Sequence, residues 1–391
     1  MAYFDWNATA PLLPVAREAW LEAAERFWAN PSTPYRLGAQ ARVAMEEARE
    51  QIAEMAGVHP ERVIFTSGAT EANNAMIREF ALRAGRDAAI GISAVEHPSV
   101  KVAAARYWTA VRVRILPVDT GGRVDRDSLD AVLRRERPAL VSVMAVNNET
   151  GVLQPVREIR DQCGARGIPF HCDAAQWFGK AAAGDFGDLW ADCAGVTLSA
   201  HKFGGPKGVG CLLLGKQLRG LTVLAGGAQE QESRAGTENV PGILSMVVAL
   251  RYRMENRLPP PGADCRDAFE RELEARWPGE ITVHGRSAAR MWNTSSIALP
   301  KHRAARWISR LDRHGFQVSS GSACSTGREG PSPVLQAMGV EPEVAMRTLR
   351  VSGGWETKPE DWEALAEAII QIRNELDEAG PPTGPGRVIE L

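Results

Sequence analysis

A lysine between a predicted strand and a glycine-rich loop is the first residue with clear chemical potential. Lys202 lies in the run 199–208 (SAHKFGGPKG), directly after a strand pattern. Ligands of α/β proteins bind at the carboxyl edge of the parallel sheet, so this lysine is placed for Schiff-base chemistry. The alternative is a solvated surface charge, because lysines are mostly exposed.

An acid and a small polar loop follow two other predicted strands. Asp173 lies in the run 171–176 (HCDAAQ), and the run 66–70 (TSGAT) joins a strand to a helix start. Backbone N–H groups and hydroxyls there can meet a phosphate at the positive end of the helix dipole. The loop lacks the Walker lysine, which disfavours nucleotides. Taken singly, the acid also fits a helix N-cap and the loop an ordinary Ser-Gly turn.

Pyridoxal 5′-phosphate (PLP) needs these three groups together. Its aldehyde needs a lysine, its ring nitrogen stays protonated beside a carboxylate, and its phosphate needs a cradle. Lys202, Asp173 and the loop at 66–70 suit these roles. The set predicts a PLP site.

Cys324 differs from the other cysteines in its surroundings. It lies in a run of small residues, 319–327 (SSGSACSTG), which favours an accessible thiol over a packed one. The alternative is a loop cysteine without a function. The remaining cysteines are far apart, with no C-x-x-C pair, so neither a disulfide framework nor a structural zinc site is expected; they are Cys163, Cys172, Cys193, Cys211 and Cys265.

Alternating helical and strand patterns from about residue 39 to 260 must position these groups. Met45, Ala48, Ile52 and Met55 form one helical stripe, which ends at Gly57. Strands are predicted at 63–66, 89–93, 111–118, 139–146, 168–172, 196–199 and 209–214. The pattern predicts an α/β fold with a mostly parallel, doubly wound sheet.

A proline-rich stretch at 256–262 (NRLPPPG) predicts a domain boundary. We expect a large domain at 15–257 and a smaller α+β domain made of 1–14 and 258–380. The tail at 381–391 has no apolar period and is expected to be loosely held.

Charge and hydropathy exclude several classes of protein. Lys plus Arg number 46 against 48 Asp plus Glu, a formal net charge of −2, which gives no basic field for nucleic acid. No apolar run approaches the roughly 18 residues of a membrane helix. The first residues show neither a basic nor an apolar segment of a signal peptide, so a cytoplasmic location is expected.

Taken together, the motifs resemble the cysteine desulfurases, more narrowly the group with a long active-site cysteine loop, among the class V aminotransferase-like, fold-type I PLP enzymes. The matching segments run in family order over nearly the whole chain; they are 4–11, 66–74, 96–100, 146–151 (VNNETG), 173–176, 199–210, 234–239 and 319–324.

The resemblance implies a role for each matching residue. Lys202 would carry PLP and shuttle protons, and Cys324 would be the nucleophile. His97 would stack on the cofactor ring and act as an acid or base; its alternative is a plain helix-start histidine. The other implied cofactor ligands are Ala69, Thr70, Asn148, Asp173 at the pyridine nitrogen, Gln176 at the phenolic oxygen, Ser199, Ala200, His201, and Thr237 from the partner subunit of a homodimer. Asn7, Asn148 and Arg350 would bind the substrate.

The implied activity is sulfur removal from L-cysteine, giving L-alanine and a persulfide on Cys324. A sulfur acceptor or scaffold protein would take the sulfur for iron–sulfur cluster assembly or another thiolation route. A selenocysteine lyase or related class V lyase or transaminase is the alternative enzyme, and a non-catalytic scaffold is the alternative outside enzymes. Trp6, Ala10, Ala228 and Gln231 depart from the family pattern; the first two leave room for a substrate entrance that differs from that of the family.

Overall fold

A seven-stranded sheet forms the centre of the protein. The computed structural model describes residues 1–85, 87–181, 190, 192–216, 218, 220–256, 262–321 and 330–378. The sheet has the order β2-β8-β7-β6-β5-β3-β4, and only β8 runs antiparallel to its neighbours. Its strands are β2 (Val63–Thr66), β3 (Ile90–Ser93), β4 (Val113–Leu116), β5 (Leu140–Ser142), β6 (Phe170–Asp173), β7 (Gly195–Ser199) and β8 (Gly210–Leu214). The predicted mostly parallel, doubly wound sheet is confirmed.

Helices cover both faces of this sheet. They are α1 (Pro14–Arg26), α2 (Arg36–Ala56), α3 (Ala69–Ala84), α4 (Pro98–Tyr107), α5 (Arg126–Arg135), α6 (Val156–Gly164) and α7 (Val240–Glu255). The predicted stripe lies on α2, which ends at Gly57 with a φ of 66°, the left-handed conformation that favours glycine. In the part of the chain described, no helix is both long and apolar enough to cross a bilayer.

Two predicted strands are shorter in the structure. Val111 lies in a 3-10 turn before β4, so that strand begins only at Val113. Beyond Ser142, the residues 143–146 are buried and apolar, which a hydropathy pattern does not separate from a strand. Two of them still donate main-chain hydrogen bonds to β6.

A second group of elements packs beside the central sheet. It contains α8 (Gly262–Arg276), β9 (Thr282–Val283), β10 (Thr294–Ala298), α9 (Ala304–Arg313), β11 (Phe316–Gln317), α10 (Pro333–Ala337), α11 (Pro342–Ala345), β12 (Thr348–Ser352) and α12 (Pro359–Glu378). Strands β12, β10 and β9 form an antiparallel sheet, and β1 (Ala2–Tyr3) pairs with β11.

The apolar cores support the predicted two-domain division, which stays a prediction. One core consists of Phe4 and residues between 269 and 376. The cores around the large sheet draw on residues 13–250, together with Met291. Residues 257–261 of the predicted boundary and the tail at 379–391 lie outside the described residues.

The topology brings the predicted site segments to one edge of the sheet. Strands β2, β6 and β7 run in the same direction, because β8 is antiparallel to both β2 and β7. Thr66, Asp173 and Ser199 are their last residues. The loops that follow them therefore meet at the carboxyl edge, as the strand patterns predict.

Candidate active site

A cavity of about 560 Å³ opens at this carboxyl edge. Its volume lies in the range of small-molecule sites. The lining includes these predicted site residues: Asn7, Ala69, Thr70, His97, Asn148, Asp173, Gln176, Ser199, His201, Lys202 and Arg350. The structure thus brings together side chains that are up to 343 positions apart in the chain, from residue 7 to residue 350.

One end of the cavity offers hydrogen-bond donors suited to a phosphate. Gly68 is the N-cap of α3, has a φ of 143°, and leaves the first turn without a side-chain cap. A side chain at Gly68 would place its Cβ 3.6 Å from Ser199 Oγ, so this hydroxyl lies against the loop. His201 is close by in sequence, with Nδ1 3.1 Å from Thr9 Oγ1. Burial, reinforced by Lys202 and Lys207, lowers the pKa of His201 to about 4.

Asp173 provides a buried carboxylate at the cavity wall. Its side chain accepts from the backbone N–H of Ala175 on Oδ1 at 3.0 Å and from Asn73 Nδ2 on Oδ2 at 2.7 Å. Each carboxylate oxygen can accept more than one hydrogen bond. Asp173 therefore keeps capacity for a protonated ring nitrogen in the cavity.

Lys202 is held by the N-terminal segment. Its Nζ donates to the main-chain oxygens of Asn7 at 2.7 Å and Ala8 at 2.9 Å. Backbone carbonyls orient the Lys202 amine without forming an ion pair with it, so the amine can still react with an aldehyde or take up a proton. The solvated-surface alternative for Lys202 does not describe this half-buried, cavity-lining residue.

His97 both caps a helix and lines the cavity. It is the N-cap of α4, where its Nδ1 accepts from the backbone N–H of Ser99 at 3.1 Å. The predicted helix-start role and the cavity position therefore coexist in one residue. Burial lowers the pKa of His97, Lys202 lowers it further, and Asp173 opposes the shift.

Arg350 is buried at the far side of the cavity. Its Nη2 pairs with Asp5 Oδ1 at 2.6 Å and its Nη1 donates to the main-chain oxygen of Asn148 at 3.2 Å. Its Nε is buried with no partner in the structure. A planar guanidinium in this position matches a carboxylate ligand.

A buried lysine that the sequence interpretation missed lies beside Lys202. Lys180 Nζ donates to Asn7 Oδ1 at 2.9 Å and to Gln176 Oε1 at 2.5 Å. With its Oε1 accepting from Lys180, the Gln176 amide turns its NH₂ group away, toward the Asn7 carbonyl at 2.8 Å. Burial, with Lys202 and Arg350 nearby, lowers the pKa of Lys180 strongly.

Asn73 and Ser99 were also missed as site residues. Asn73 Nδ2 bonds both Asp173 and Ser99 Oγ, and Ser99 Oγ lies 2.8 Å from His97 Nδ1. Each stands inside a motif that the resemblance used, but the bonds of Asn73 to Ser99 and Asp173 join residues 26 and 100 positions apart. A buried polar side chain in an otherwise apolar helix stripe was the available signal for Asn73.

Three predicted site residues lie elsewhere. Ala200 is fully buried and joins Ser199 to His201 behind the cavity wall. Thr237 is exposed and does not line the cavity described for its own chain. Cys324 lies outside the described residues, in the segment 322–329.

The family departures do not alter the cavity wall. Trp6 is buried, donates from Nε1 to the Tyr3 oxygen at 3.0 Å, and packs edge-on against Trp355 at 5.7 Å. Trp6 is not among the residues described as lining the cavity. Ala10 is buried, whereas Ala228 and Gln231 are exposed.

The donor set fits PLP. An uncapped helix start with a neighbouring hydroxyl suits the phosphate, a buried carboxylate suits the ring nitrogen, and an oriented amine lies on the same wall. Arg350 Nε, which has no hydrogen-bond partner among the described residues, adds a donor for a carboxylate ligand. The cavity therefore suits both PLP and an amino acid.

Comparison with known proteins points to one family. The family model Aminotransferase class-V matches residues 2–365. Cysteine desulfurase IscS of Dictyoglomus turgidum is 35% identical over 386 residues, covering 97% of this chain and 96% of that protein. A solved NifS-like protein has a TM-score of 0.86 at 28% identity, covering 96% of this chain and 100% of that one. A structure of SspA in complex with cysteine has a TM-score of 0.77 at 27% identity, covering 90% of this chain and 98% of that one.

Proposed function

Since the chain belongs to the class-V aminotransferase family and, within it, to the cysteine desulfurases, we propose that it moves the sulfur of L-cysteine to its own Cys324. The reaction balances as L-cysteine plus the Cys324 thiol giving L-alanine plus a Cys324 persulfide. The SspA structure holds cysteine, and this chain offers an amino-acid-sized cavity with a buried guanidinium. The same geometry does not by itself separate L-cysteine from L-selenocysteine.

PLP is the cofactor of this family, and the residues of the cavity are its ligands in this proposal. Ala69, Thr70, Ser199 and His201 would hold the phosphate, Asp173 the ring nitrogen and Gln176 the phenolic oxygen. When bound, PLP withdraws electrons from the α-carbon of the amino acid. Every remaining task falls to the side chains of the protein.

Lys202 is the residue that moves the proton of the α-carbon. The carbonyl oxygens of Asn7 and Ala8 hold its Nζ within the cavity, so the amine is oriented before the substrate arrives. Such orientation removes part of the entropic cost of proton transfer. Lys207 also lines the cavity and is the nearest alternative amine in sequence.

Arg350 and Asn148 would bind the substrate carboxylate. Asp5 takes one edge of the Arg350 guanidinium, which leaves Nε as a donor without a partner in the structure. A charged hydrogen bond from a buried arginine fixes the amino acid in one orientation.

Cys324 is the nucleophile in this proposal, and the chemistry of the other cysteines supports it. Burial raises the pKa of Cys163, Cys193 and Cys211 to about 12 and the pKa of Cys172 well above its ordinary value. A thiol that does not ionise is a poor nucleophile. These four are the small buried residues that their apolar neighbours predict.

A homodimer and a sulfur acceptor complete the proposal. Exposed apolar side chains are concentrated between residues 12 and 43, a feature of interaction surfaces; they include Leu12, Trp20, Leu21, Trp28, Tyr35, Leu37 and Val43. The exposed Thr237 is free to serve the partner's cavity rather than its own. The acceptor or scaffold protein, the iron–sulfur or other thiolation route and the cytoplasmic location stay predictions.

The observation that carries the proposal is the convergence of Lys202, Asp173 and Arg350 on one cavity. The test is a Cys324→Ser variant incubated with L-cysteine, with alanine and persulfide measured together. The variant should bind PLP with unchanged colour but lose persulfide and multiple turnover of alanine. Cys265→Ser, half-buried on α8, is the matched control and should behave as wild type. A Cys324→Ser enzyme that turns over at the wild-type rate refutes the nucleophile assignment.

A parallel assay with L-selenocysteine separates the two substrate classes. The desulfurase proposal predicts that Cys324→Ser impairs alanine formation from L-cysteine far more than from L-selenocysteine, because selenium leaves more readily without a thiolate. Equal loss on both substrates would contradict this distinction.

A further inference from the structure

A chain of hydrogen bonds joins His97 to Asp173 through two side chains. Asn73 Nδ2 lies 2.7 Å from Asp173 Oδ2 and 2.8 Å from Ser99 Oγ. Ser99 Oγ in turn lies 2.8 Å from His97 Nδ1. Asn73 is fully buried, and Asp173 and Ser99 are 5% and 7% exposed, so water does not compete for these bonds.

The direction of every bond in this chain follows from Asp173. An ionised carboxylate only accepts, so the Asn73 amide must turn its NH₂ group toward Asp173. The second N–H of that NH₂ group then points at Ser99 Oγ. The Ser99 backbone N–H donates to His97 Nδ1, so this nitrogen is an acceptor and the Ser99 hydroxyl, which accepts from Asn73, turns its own hydrogen toward it.

His97 Nδ1 therefore receives two donors. The Ser99 hydroxyl approaches at 2.8 Å and the Ser99 backbone N–H at 3.1 Å. A nitrogen that accepts in this way carries a lone pair and no proton, which leaves Nε2 as the protonated nitrogen of a neutral ring. A proton on Nδ1 would oppose both donors.

The surroundings of His97 also favour its neutral form on balance. Asp173 attracts a positive charge there, whereas burial and Lys202 disfavour it. His97 further lies at the N-terminus of α4, where the helix dipole is positive. Glu96, its neighbour in the chain, directs its Oε1 to other donors, the Ser93 hydroxyl and the Met144 backbone N–H.

We propose that Asn73 and Ser99 are positioning residues that hold His97 as the tautomer protonated on Nε2. His97 then presents an N–H donor, and not a basic nitrogen, to the cavity. One amide, that of Asn73, sets both this donor and the orientation of the Asp173 carboxylate. The acceptor of this Nε2–H group is either a substituent of the PLP ring or the amino acid, and its identity rests on the proposed function.

The test is nitrogen NMR of the full chain labelled with ¹⁵N-histidine, recorded across pH with and without PLP. The chain has 7 histidines, and the His97 signals are those lost in His97→Gln. Wild-type His97 should show the Nε2–H tautomer. Ser99→Ala should raise the pKa of His97 by about 0.5 to 1 unit, the worth of one hydrogen bond, and admit the other tautomer. Ser99→Thr keeps the hydroxyl and should restore the wild-type signals.

Two further variants complete the test. Asn73→Ala frees the Ser99 hydroxyl to rotate and should shift the His97 signals in the same direction as Ser99→Ala. Asn74→Ala is the matched control, because Asn74 contacts only main-chain oxygens, those of Thr70 and Ser99. Its His97 signals should match wild type.

A wild-type His97 protonated on Nδ1 would overturn the proposal, as would a Ser99→Ala protein with unchanged His97 tautomer and pKa. The wild-type spectrum alone decides the first point, even where a variant does not fold. Failure of the proposed function is seen separately, as absent PLP binding or absent alanine with the Nε2–H tautomer intact.

Discussion

Arg350 Nη2 lies 2.6 Å from Asp5 Oδ1, and this ion pair ties the middle of β12 to the beginning of the chain. Asp5 itself bridges to Ser352 on β12, so the N-terminal segment runs alongside that strand. The same segment supplies the Asn7 and Ala8 carbonyl oxygens that hold Lys202. A few residues at the N-terminus therefore orient both the amine and the guanidinium of the site.

Replacing Arg350 with lysine should weaken substrate binding. Lysine keeps the charge but loses the planar pair of donors, at a cost of about 1.5 to 3 kcal/mol, or roughly 10- to 100-fold in kcat/KM. Steady-state kinetics with L-cysteine measure this, with the loss mainly in KM. Arg347→Lys is the control, because Arg347 donates to the Leu299 oxygen outside the cavity. Equal kinetics for both variants would argue against a carboxylate site at Arg350.

Replacing Lys180 with methionine should loosen PLP. The Gln176 amide loses the amine that fixes it, so its bond to the cofactor's phenolic oxygen weakens by about 1.4 kcal/mol, or roughly tenfold in the PLP dissociation constant. The absorbance maximum of the bound cofactor should move as well. Lys216→Met, at an exposed lysine, controls for loss of charge. Lys180→Gln, which keeps a donor, should recover part of the affinity; an unmoved spectrum in Lys180→Met would contradict this role.

Glu96 should make stability depend on pH. Burial, with Asp173 nearby, raises its pKa to about 8 against the bonds from Ser93 and Met144. The folded protein therefore keeps a proton on Glu96 at pH values at which the unfolded chain, with a pKa of 4.5, has released it. The stability that this proton contributes is complete below about pH 4.5 and is lost as the pH rises to about 8.

Glu96→Gln removes that dependence while keeping the accepting oxygen. Relative to wild type, its free energy of unfolding should rise between pH 5 and 8, by roughly 3 to 5 kcal/mol, and level off above. Chemical denaturation at several pH values measures the difference. Glu158→Gln, on the exposed face of α6, should track wild type at every pH. A flat difference for Glu96→Gln would show that this carboxyl titrates normally.

Thr237 should act across the dimer. In a mixed dimer of a Lys202→Ala chain and a Thr237→Ala chain, one cavity then combines an intact Lys202 with an intact Thr237. That cavity should bind PLP with wild-type affinity, whereas the Thr237→Ala homodimer should bind about tenfold more weakly, the worth of one phosphate hydrogen bond. Titration of purified mixed dimers with PLP distinguishes the two cases. Weak binding in the mixed dimer would place Thr237 in its own chain's site.

Much of the fold follows from local patterns. The strand ends at Thr66 and Ser199 and the helix stop at Gly57 are predicted correctly, and the strand predicted to end at 172 ends one residue later, at Asp173, because apolar periodicity and glycine act over a few residues. The strand predicted at 139–146 continues too far beyond Ser142, the last residue of β5, because burial alone does not distinguish a strand from coil. The strand pairings of β10 and β12 join residues far apart in the chain, such as Thr294 with Ser352, which no local pattern contains.

The residues of the site divide in the same way, into those that local patterns reveal and those that only long-range contacts reveal. Residues within recognisable motifs, such as Lys202 and His97, are found by type and spacing. Lys180 and Asn73 are missed because their roles depend on contacts with residues far away in the chain. Lys180 contacts Asn7, 173 positions away, and Asn73 contacts Asp173, 100 positions away. The packing of Trp6 against Trp355 likewise joins residues far apart in the chain, and no local pattern contains it.

The most direct test of the account is to identify the lysine that carries PLP. The holoenzyme is reduced with borohydride, which makes the link to the cofactor permanent, then digested and mapped by mass spectrometry. The account predicts the added mass on Lys202 alone, and its disappearance in Lys202→Arg. Modification of Lys180 or Lys207, the other amines at this cavity, or an unmodified chain after incubation with excess PLP, would contradict it.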